Sequence, residues 1–426
     1  MHPPTHGLDN LVECVGYENP SLDFVAIEEF RSFTSLIELL SNEIDPSAPW
    51  THQKAEEFDN ISVSDFIKSQ VRHHDALREA FLLVRAVVAV EAEDCSFLYY
   101  LFFVRSGGGI ETLGDGKQGA QRWYIAGGSQ QISKCLTAYL LELGVAFRFG
   151  DAVSKISQVA TEASVIVTTR SGFCLEAKQI VVAMSPSIAI KHIEFFPPLP
   201  SDQMDLYLSI NAGYAVKAII LFQKAFWLKP KIFPGHAGHF SETGPVQNMF
   251  HAHIGSHPAL VCLCLGSSGR KLSSLSEDER KEAIYSQLRT LHFPERSTHP
   301  SESDLSNLTS DESSDGESIS DNVKTLEDFL GVIHYVDKVW AKEEFSGGCF
   351  CGIWAPNGTF FKHGHKYFPR PFADGTLLPL KKETWKNIHF ASTETTDTFV
   401  GYMEGALRAG ELAGESVLQR LGETLL

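Results

Sequence analysis

The opening 60 residues hold no glycine-rich turn of the kind that joins a strand to a helix around a phosphate. The start, MHPPTHGLDN, is neither basic nor apolar and does not read as a secretory signal. The longest aromatic-aliphatic run, FLYYLFFV at 97–104, is far too short to cross a bilayer. Cysteine is sparse: eight in 426 residues do not make a disulfide scaffold. Basic residues are outnumbered, 36 Lys and Arg against 53 Asp and Glu, and the net charge of −17 would repel nucleic acid and anionic membranes alike. These absences leave a soluble protein of a reducing compartment, expected in the cytoplasm, with no nucleic-acid partner and no transmembrane segment.

A chain of 426 residues exceeds one ordinary core, so two or three lobes are expected. It is 43% hydrophobic, and its 29 Phe can line an apolar cavity as well as a core. From Ser64 to Ala92, apolar residues recur at helical spacing (Phe66, Ile67, Val71, Leu77, Ala80, Phe81, Val84). Residues 106–128 form a loop-rich connector with two glycine clusters. QQISKCLTAYLLELG at 130–144 reads as an amphipathic helix closed by Gly144. VAFRFG, AVSKISQVA and SVIVTTRSGFCLEAKQIVVAMSP read as strands and a hairpin, with IVVAM a buried strand. AVKAIILFQKAFW at 215–227 is a further strand, and Ser276 caps SEDERKEAIYSQLRTLHF as a helix. The Ser-rich, acidic stretch 296–325 lacks the apolar surface to offset ordering and is expected to be a disordered surface insertion. Near the C-terminus, a short buried strand, IHFA, leads through a loop to a helix that begins past Gly401, a geometry suited to presenting backbone N–H groups to a ligand.

The stretch EEFSGGCFCGIWAPNG, 343–358, brings a thiol to a backbone made bare by Gly347 and Gly348. Three readings of Cys349 stand side by side: a buried turn cysteine, one arm of a disulfide or metal clip, or a covalent tether for a flat cofactor that the glycines let approach. The pairs Cys262/Cys264, Cys349/Cys351, His251/His253 and His363/His365 could each bite a metal ion if they lay on one strand face. Cys262 and Cys264, however, sit in the apolar run ALVCLCLG, where buried cysteine is ordinary, and no metal site is assigned. Lys217 interrupts the apolar run YAVKAIILF. It either snorkels to water or places a desolvated ammonium near a cofactor or substrate. Tyr402, just after Gly401, is in a setting where most tyrosines pack with one polar tip.

Taken in chain order, WAKEEFSGGCF at 340–350, the Lys217 strand followed by Phe226-Trp227, and IHFASTETTDTFVGYMEGALRAGELAG resemble the flavin-dependent monoamine oxidase family. SAPW with EEFDNIS, GAQRWYIAGGSQQIS and FFPPLP extend the resemblance over nearly the whole chain outside the acidic insertion. It implies a mixed α/β, two-lobed fold with interleaved domains: 1–125 and 207–342 for substrate, 126–206 and 343–426 for FAD. Cys349 falls on the cysteine that bonds as a thioether to the 8α-methyl of FAD. Val153, Thr393, Gly401, Met403 and Trp340 fall beside the cofactor. Lys217 falls on the lysine that holds a water near flavin N5, Phe350 and Tyr402 on the two aromatic walls that sandwich the amine, and Gln121 on a substrate-side glutamine.

The implied reaction is oxidative deamination of a primary or secondary amine, with O2 reduced to hydrogen peroxide. The implied partners are a small-molecule amine and O2, and a homodimer is admitted. Three departures stand out. Phe350 replaces the tyrosine of the mammalian enzymes, and Ser392 replaces a usual glycine, where its Cβ is expected to crowd the flavin loop. The family's opening strand–turn–helix unit, which cradles the FAD pyrophosphate, has no counterpart at the start of this chain, and neither has the membrane-anchoring tail. The rival expectation is therefore a non-catalytic, amine oxidase-like remnant that does not hold FAD stably.

Overall fold

In the computed structural model the described residues are 23–114, 119, 125, 127–159, 164–228, 244–292, 325–367 and 387–422. Gln121 and residues 296–324 of the acidic insertion lie outside them. The strands are β1 Val153–Gln158, β2 Val165–Thr169, β3 Cys174–Ala177, β4 Ile180–Val182, β5 Glu194–Phe196, β6 Ile210–Ala212, β7 Ala215–Phe222, β8 Asn248–Ile254, β9 His257–Leu265, β10 Val332–Val339, β11 Gly352–Trp354 and β12 Ile388–Phe390. With the helices they make a mixed α/β fold in two compact units, one spanning 213–344, the other built from 21–212 and 345–426.

The unit built from two chain segments has a helical core. Ser62 starts the helix Val63–Gln70 with a reciprocal box: its Oγ accepts the Asp65 amide at 3.0 Å, and Asp65 Oδ2 accepts the Ser62 amide at 3.0 Å. The run FLYYLFFV becomes the helix Phe97–Ser106. It is apolar all round and is buried at every position except Arg105, so it forms the middle of the core rather than one side of it. The C-terminal segment packs onto it. Tyr99 meets Trp354 at 4.9 Å and Phe360 at 5.2 Å between ring centroids, and Trp354 Nε1 donates to the Leu206 carbonyl at 3.1 Å. Buried Asp59 pins both segments, accepting from Ser96 Oγ at 2.5 Å and from the Phe361 amide at 2.8 Å.

The same unit holds a sheet of order β3-β2-β1-β5, the antiparallel pair β11-β6 and the parallel pair β12-β4. The predicted helix is present as Gln130–Glu142. Gly144, at φ +81, lets the Val145 amide reach back to the Leu140 carbonyl at 3.0 Å. Two strand expectations need correction. VAFRFG, 145–150, is no strand: all six residues are exposed, and no described strand pairs with them. A strand exists only through its ladder, so an apolar alternating run without a neighbour stays irregular. IVVAM yields only β4, which among the described residues pairs with β12 alone; Val182 is buried while Val181 is exposed, so the run is covered on one face.

The other unit is an antiparallel sheet, β10-β7-β9-β8, with the helix Glu277–His292 against it. Val216, Ala218, Ile220 and Phe222 alternate into the core from β7, as the period of two requires. Ser276 caps the helix as expected: its amide donates to Glu279 Oε2 at 2.8 Å and its Oγ accepts the Glu279 amide at 3.3 Å. Cys262 and Cys264 are fully buried in β9, and burial pushes the Cys262 thiol up to about 12, which suits packing and not metal ligation.

Candidate functional site

The Cys349 loop is shaped by close approach. Gly347 has φ +66, and a Cβ there would lie 2.6 Å from Ile188 Cδ1 on the helix Pro186–His192. Just before it, the Phe345 ring faces His192 at 5.6 Å and the Arg170 guanidinium at 5.2 Å. Cys349 and Phe350 are joined by a cis peptide bond; Cys349 is half-buried, Phe350 is exposed and Cys351 is buried. The next residue is held at both backbone groups. The Gly352 amide donates to Glu394 Oε1 at 2.8 Å, and its carbonyl accepts the Tyr99 hydroxyl at 3.2 Å.

Glu394 belongs to the short turn Thr393–Thr395, which leads to the last helix, Met403–Leu421. Thr393 Oγ1 accepts the Gly401 amide at 2.6 Å and donates to the Tyr402 carbonyl at 3.3 Å. Gly401 has φ +85, and a Cβ on it would meet Cys351 Sγ and Phe103 Cε2, both at 3.1 Å. Cys351 and Gly401, the neighbours of Phe350 and Tyr402, are thus in contact. A Cβ at Gly405 would lie 2.3 Å from the Phe399 carbonyl oxygen, so the first turn of the helix sits hard against its own approach loop. Tyr402 stands at the helix cap without a side-chain cap bond, and Met403 is exposed. Ser392 is buried, and among the described residues its Oγ has no hydrogen-bond partner.

Of the remaining predicted residues, Val153 belongs to the same unit as this loop, and Lys217 and Trp340 belong to the other. Val153 begins β1 opposite Thr169. Lys217 is exposed on β7, between Leu263 of β9 and Lys338 of β10. Trp340 follows β10, with Lys338 Nζ 5.8 Å from its ring. Of the histidine pairs, His363 and His365 fall in the helix Thr359–Tyr367, where residues two apart do not share a face, so they do not form a strand-type pair. The rings of His251 and His253 lie 4.6 Å apart on β8, and His251 Nδ1 accepts the Trp227 indole N–H at 3.0 Å. Among the described residues no group of three His, Cys, Asp or Glu is placed to hold a metal ion.

Sequence reading passed over Glu394 and Tyr99, although a lone carboxylate between two threonines beside a buried strand was a signal for the first. It also passed over a literal G-x-G-x-x-G at Gly114, Gly116 and Gly119. That spacing follows the helix Ile110–Leu113 and not a strand, so it lacks the context that makes it a pyrophosphate turn.

A mixed α/β fold in two units, one holding the thiol loop against the segment that leads into the last helix, defines a class shared with solved amine oxidases. The model of the flavin containing amine oxidoreductase family matches residues 3–418, and the chain belongs to that family. FAD is the cofactor this membership implies. The chain is 27% identical over 390 residues to a probable flavin-containing monoamine oxidase A of Dictyostelium discoideum, covering 91% of this chain and 73% of that protein. It is 28% identical over 399 residues to a flavin-containing amine oxidase of Oncorhynchus mykiss, and 26% over 397 residues to the human flavin-containing amine oxidase B; in both cases 93% of this chain matches 66% of the relative. The chain therefore spans slightly under two thirds of the length of these vertebrate relatives. Its fold is that of cyclohexylamine oxidase from Brevibacterium oxydans, with TM-score 0.73 and 20% identity over 95% of this chain and 77% of the other. A triple mutant of putrescine oxidase gives TM-score 0.75 and 19% identity over 95% and 78%. Among the described residues no helix is long and apolar enough to cross a membrane.

Proposed function

We propose that this chain acts in FAD-dependent oxidation of a primary or secondary amine, with Cys349 as the covalent tether of the flavin. The observation that carries the reading is the junction of the Cys349-Phe350-Cys351-Gly352 run with the Thr393–Tyr402 segment, made through Glu394 and the Cys351–Gly401 contact. A Cβ at Gly347, Gly401 or Gly405 would meet Ile188, Cys351 and Phe103, or the Phe399 carbonyl, so glycine draws this junction tight, and the buried Ser392 Oγ, without a hydrogen-bond partner among the described residues, is a polar group that a heterocycle edge would satisfy. The residues present thus fit the flavin end of the cofactor.

The chemistry supplied by bound FAD is two-electron oxidation of the amine α-carbon, the imine then hydrolysing to an aldehyde and ammonia or a smaller amine, with O2 reduced to hydrogen peroxide. The chain supplies position. Phe350 and Tyr402 act as aromatic walls that orient the amine and exclude water, and Phe350, standing where the mammalian enzymes carry tyrosine, lacks that hydroxyl and makes its wall purely apolar. Thr393 holds Gly401 and Tyr402 in place, and Met403 and Val153 are assigned to the cofactor. Lys217, with Trp340 near it, is assigned to the water beside flavin N5, and Gln121 to the substrate side; these roles rest on the resemblance. Cys349 would hold the flavin through a thioether to its 8α-methyl carbon, a bond that would replace the S–H and one methyl C–H, with the two electrons and two protons passing to O2 as hydrogen peroxide. The interleaved substrate and FAD segments, the homodimer and a soluble, cytoplasmic location belong to the same reading.

A second reading is an amine oxidase-like scaffold that does not hold FAD. It is favoured by the 145–150 segment, exposed at every residue, and by the helix Gln130–Glu142, which has no buried residue. An absorbance spectrum of the purified chain, repeated on acid-precipitated and washed protein, separates the two. Yellow colour that survives denaturation and disappears in Cys349→Ala supports the tether. Colour released into the supernatant removes the tether and keeps the oxidase. A chain that stays colourless with added FAD supports the scaffold.

A further inference from the structure

We infer that Glu394 is a positioning residue that decides which thiol of Cys349-Phe350-Cys351 is offered to a ligand, by holding Cys351 inside. The inference deepens the proposed flavin site and rests on that reading for what the thiol meets, but not for the geometry. In an extended run, residues two apart share a face, so both thiols would be presented together. Here they are not: Cys349 is half-buried while Cys351 is 9% exposed and lies against Gly401.

The difference is made one residue later. Gly352 is tied inward by its amide to Glu394 Oε1 at 2.8 Å and by its carbonyl to the Tyr99 hydroxyl at 3.2 Å. Both partners are buried, Glu394 at 3% and Tyr99 at 0% exposure, so water does not compete for either bond. Only glycine fits between them, because a Cβ on residue 352 would lie 2.4 Å from Ile210 Cγ2 and 3.1 Å from Glu394 Oε1. Charge acts in the same sense. Burial pushes the Cys351 thiol up, and the neighbouring Glu394 carboxylate adds to that, keeping the sulfur protonated and inert.

The test is site-resolved alkylation of the folded chain with iodoacetamide, each cysteine quantified by mass spectrometry. Exposed Cys135 and Cys174 set the fast reference, and Cys95, fully buried in the same unit, reports global opening. Cys351 labelling does not depend on whether Cys349 carries a flavin, so failure of the flavin reading leaves this readout intact. In the wild type Cys351 stays protected. In Glu394→Ala its labelling rises about tenfold, the scale of a buried amide losing its acceptor, while Cys95 stays protected. Glu394→Gln, which keeps an acceptor, restores protection. Cys351 labelled as fast as Cys135 in the wild type, or still protected in a folded Glu394→Ala, overturns the inference. Should Glu394→Ala not fold, Tyr99→Phe removes only the hydroxyl on the Gly352 carbonyl; a rise of several-fold at Cys351 supports the inference and no rise overturns it.

Discussion

The Gly401 amide donates to Thr393 Oγ1 at 2.6 Å, and the same hydroxyl donates on to the Tyr402 carbonyl at 3.3 Å. One side chain therefore organises both residues that precede the last helix. Thr393→Val keeps the shape and removes the oxygen, leaving a partly buried amide without its acceptor. A loss of about 1–2 kcal/mol in urea unfolding is expected, with Thr393→Ser close to the wild type.

Gly401→Ala meets two obstacles at once, a left-handed backbone at φ +85 and the Cys351 and Phe103 atoms 3.1 Å from the new Cβ. It should destabilise the chain by about 1–3 kcal/mol. Gly410→Ala, inside the same helix with nothing within 4 Å of its new Cβ, should stabilise it by roughly 0.5–1 kcal/mol. Thermal unfolding of the two variants side by side checks the contrast in sign.

In the sheet unit, Arg280 and Asp337 form a two-pronged ion pair at 2.6 and 2.8 Å, with side chains 9% and 5% exposed, and Asp337 also accepts the Tyr335 hydroxyl at 2.9 Å. Asp337→Ala leaves a buried guanidinium uncompensated and should cost about 3–5 kcal/mol. The double variant Arg280→Met with Asp337→Leu should recover most of that loss in the same denaturation assay, because no unpaired charge then stays buried.

Two buried groups pull the pH dependence in opposite directions. Burial raises the Asp59 carboxyl from 3.8 to about 6, partly opposed by hydrogen bonds from the Phe361 amide and Ser96. The folded chain then binds this proton more tightly than the unfolded one, so Asp59 removes stability as pH rises from about 4 to about 6. Burial lowers the His389 imidazole from 6.5 to about 4, with Arg420 adding to the effect. Here the unfolded chain binds the proton more tightly, so stability is lost as pH falls from about 6.5 towards 4. Each contribution is roughly 3 kcal/mol at most. Asp59→Asn leaves the His389 slope uncovered, and its stability should fall more steeply than the wild type's between pH 6 and 4. Parallel curves would sink this account.

Some elements were legible because local chemistry specifies them. The Ser276 cap with Glu279 starts its helix wherever the chain runs, and Gly144 closes Gln130–Glu142 without help from tertiary packing. Strand β7 was legible from its apolar run, set in from both edges of its sheet. VAFRFG carried the same kind of signal and formed no strand, because hydrogen-bonding to a neighbour is not a local property. The histidine pair His363/His365 misled in the opposite way, since its i, i+2 spacing means a shared face only on a strand.

By itself the sequence determined the family, through the ordered SGGC and TET…GYMEGA blocks. Through the resemblance it singled out Cys349 of the C-x-C pair, and it left open what holds Cys351 inside. Tertiary structure decided that, because Glu394 and Tyr99 reach Gly352 from positions 42 residues after it and 253 residues before it. Their effect depends on both bonds being buried together, a condition that no spacing along the chain can express.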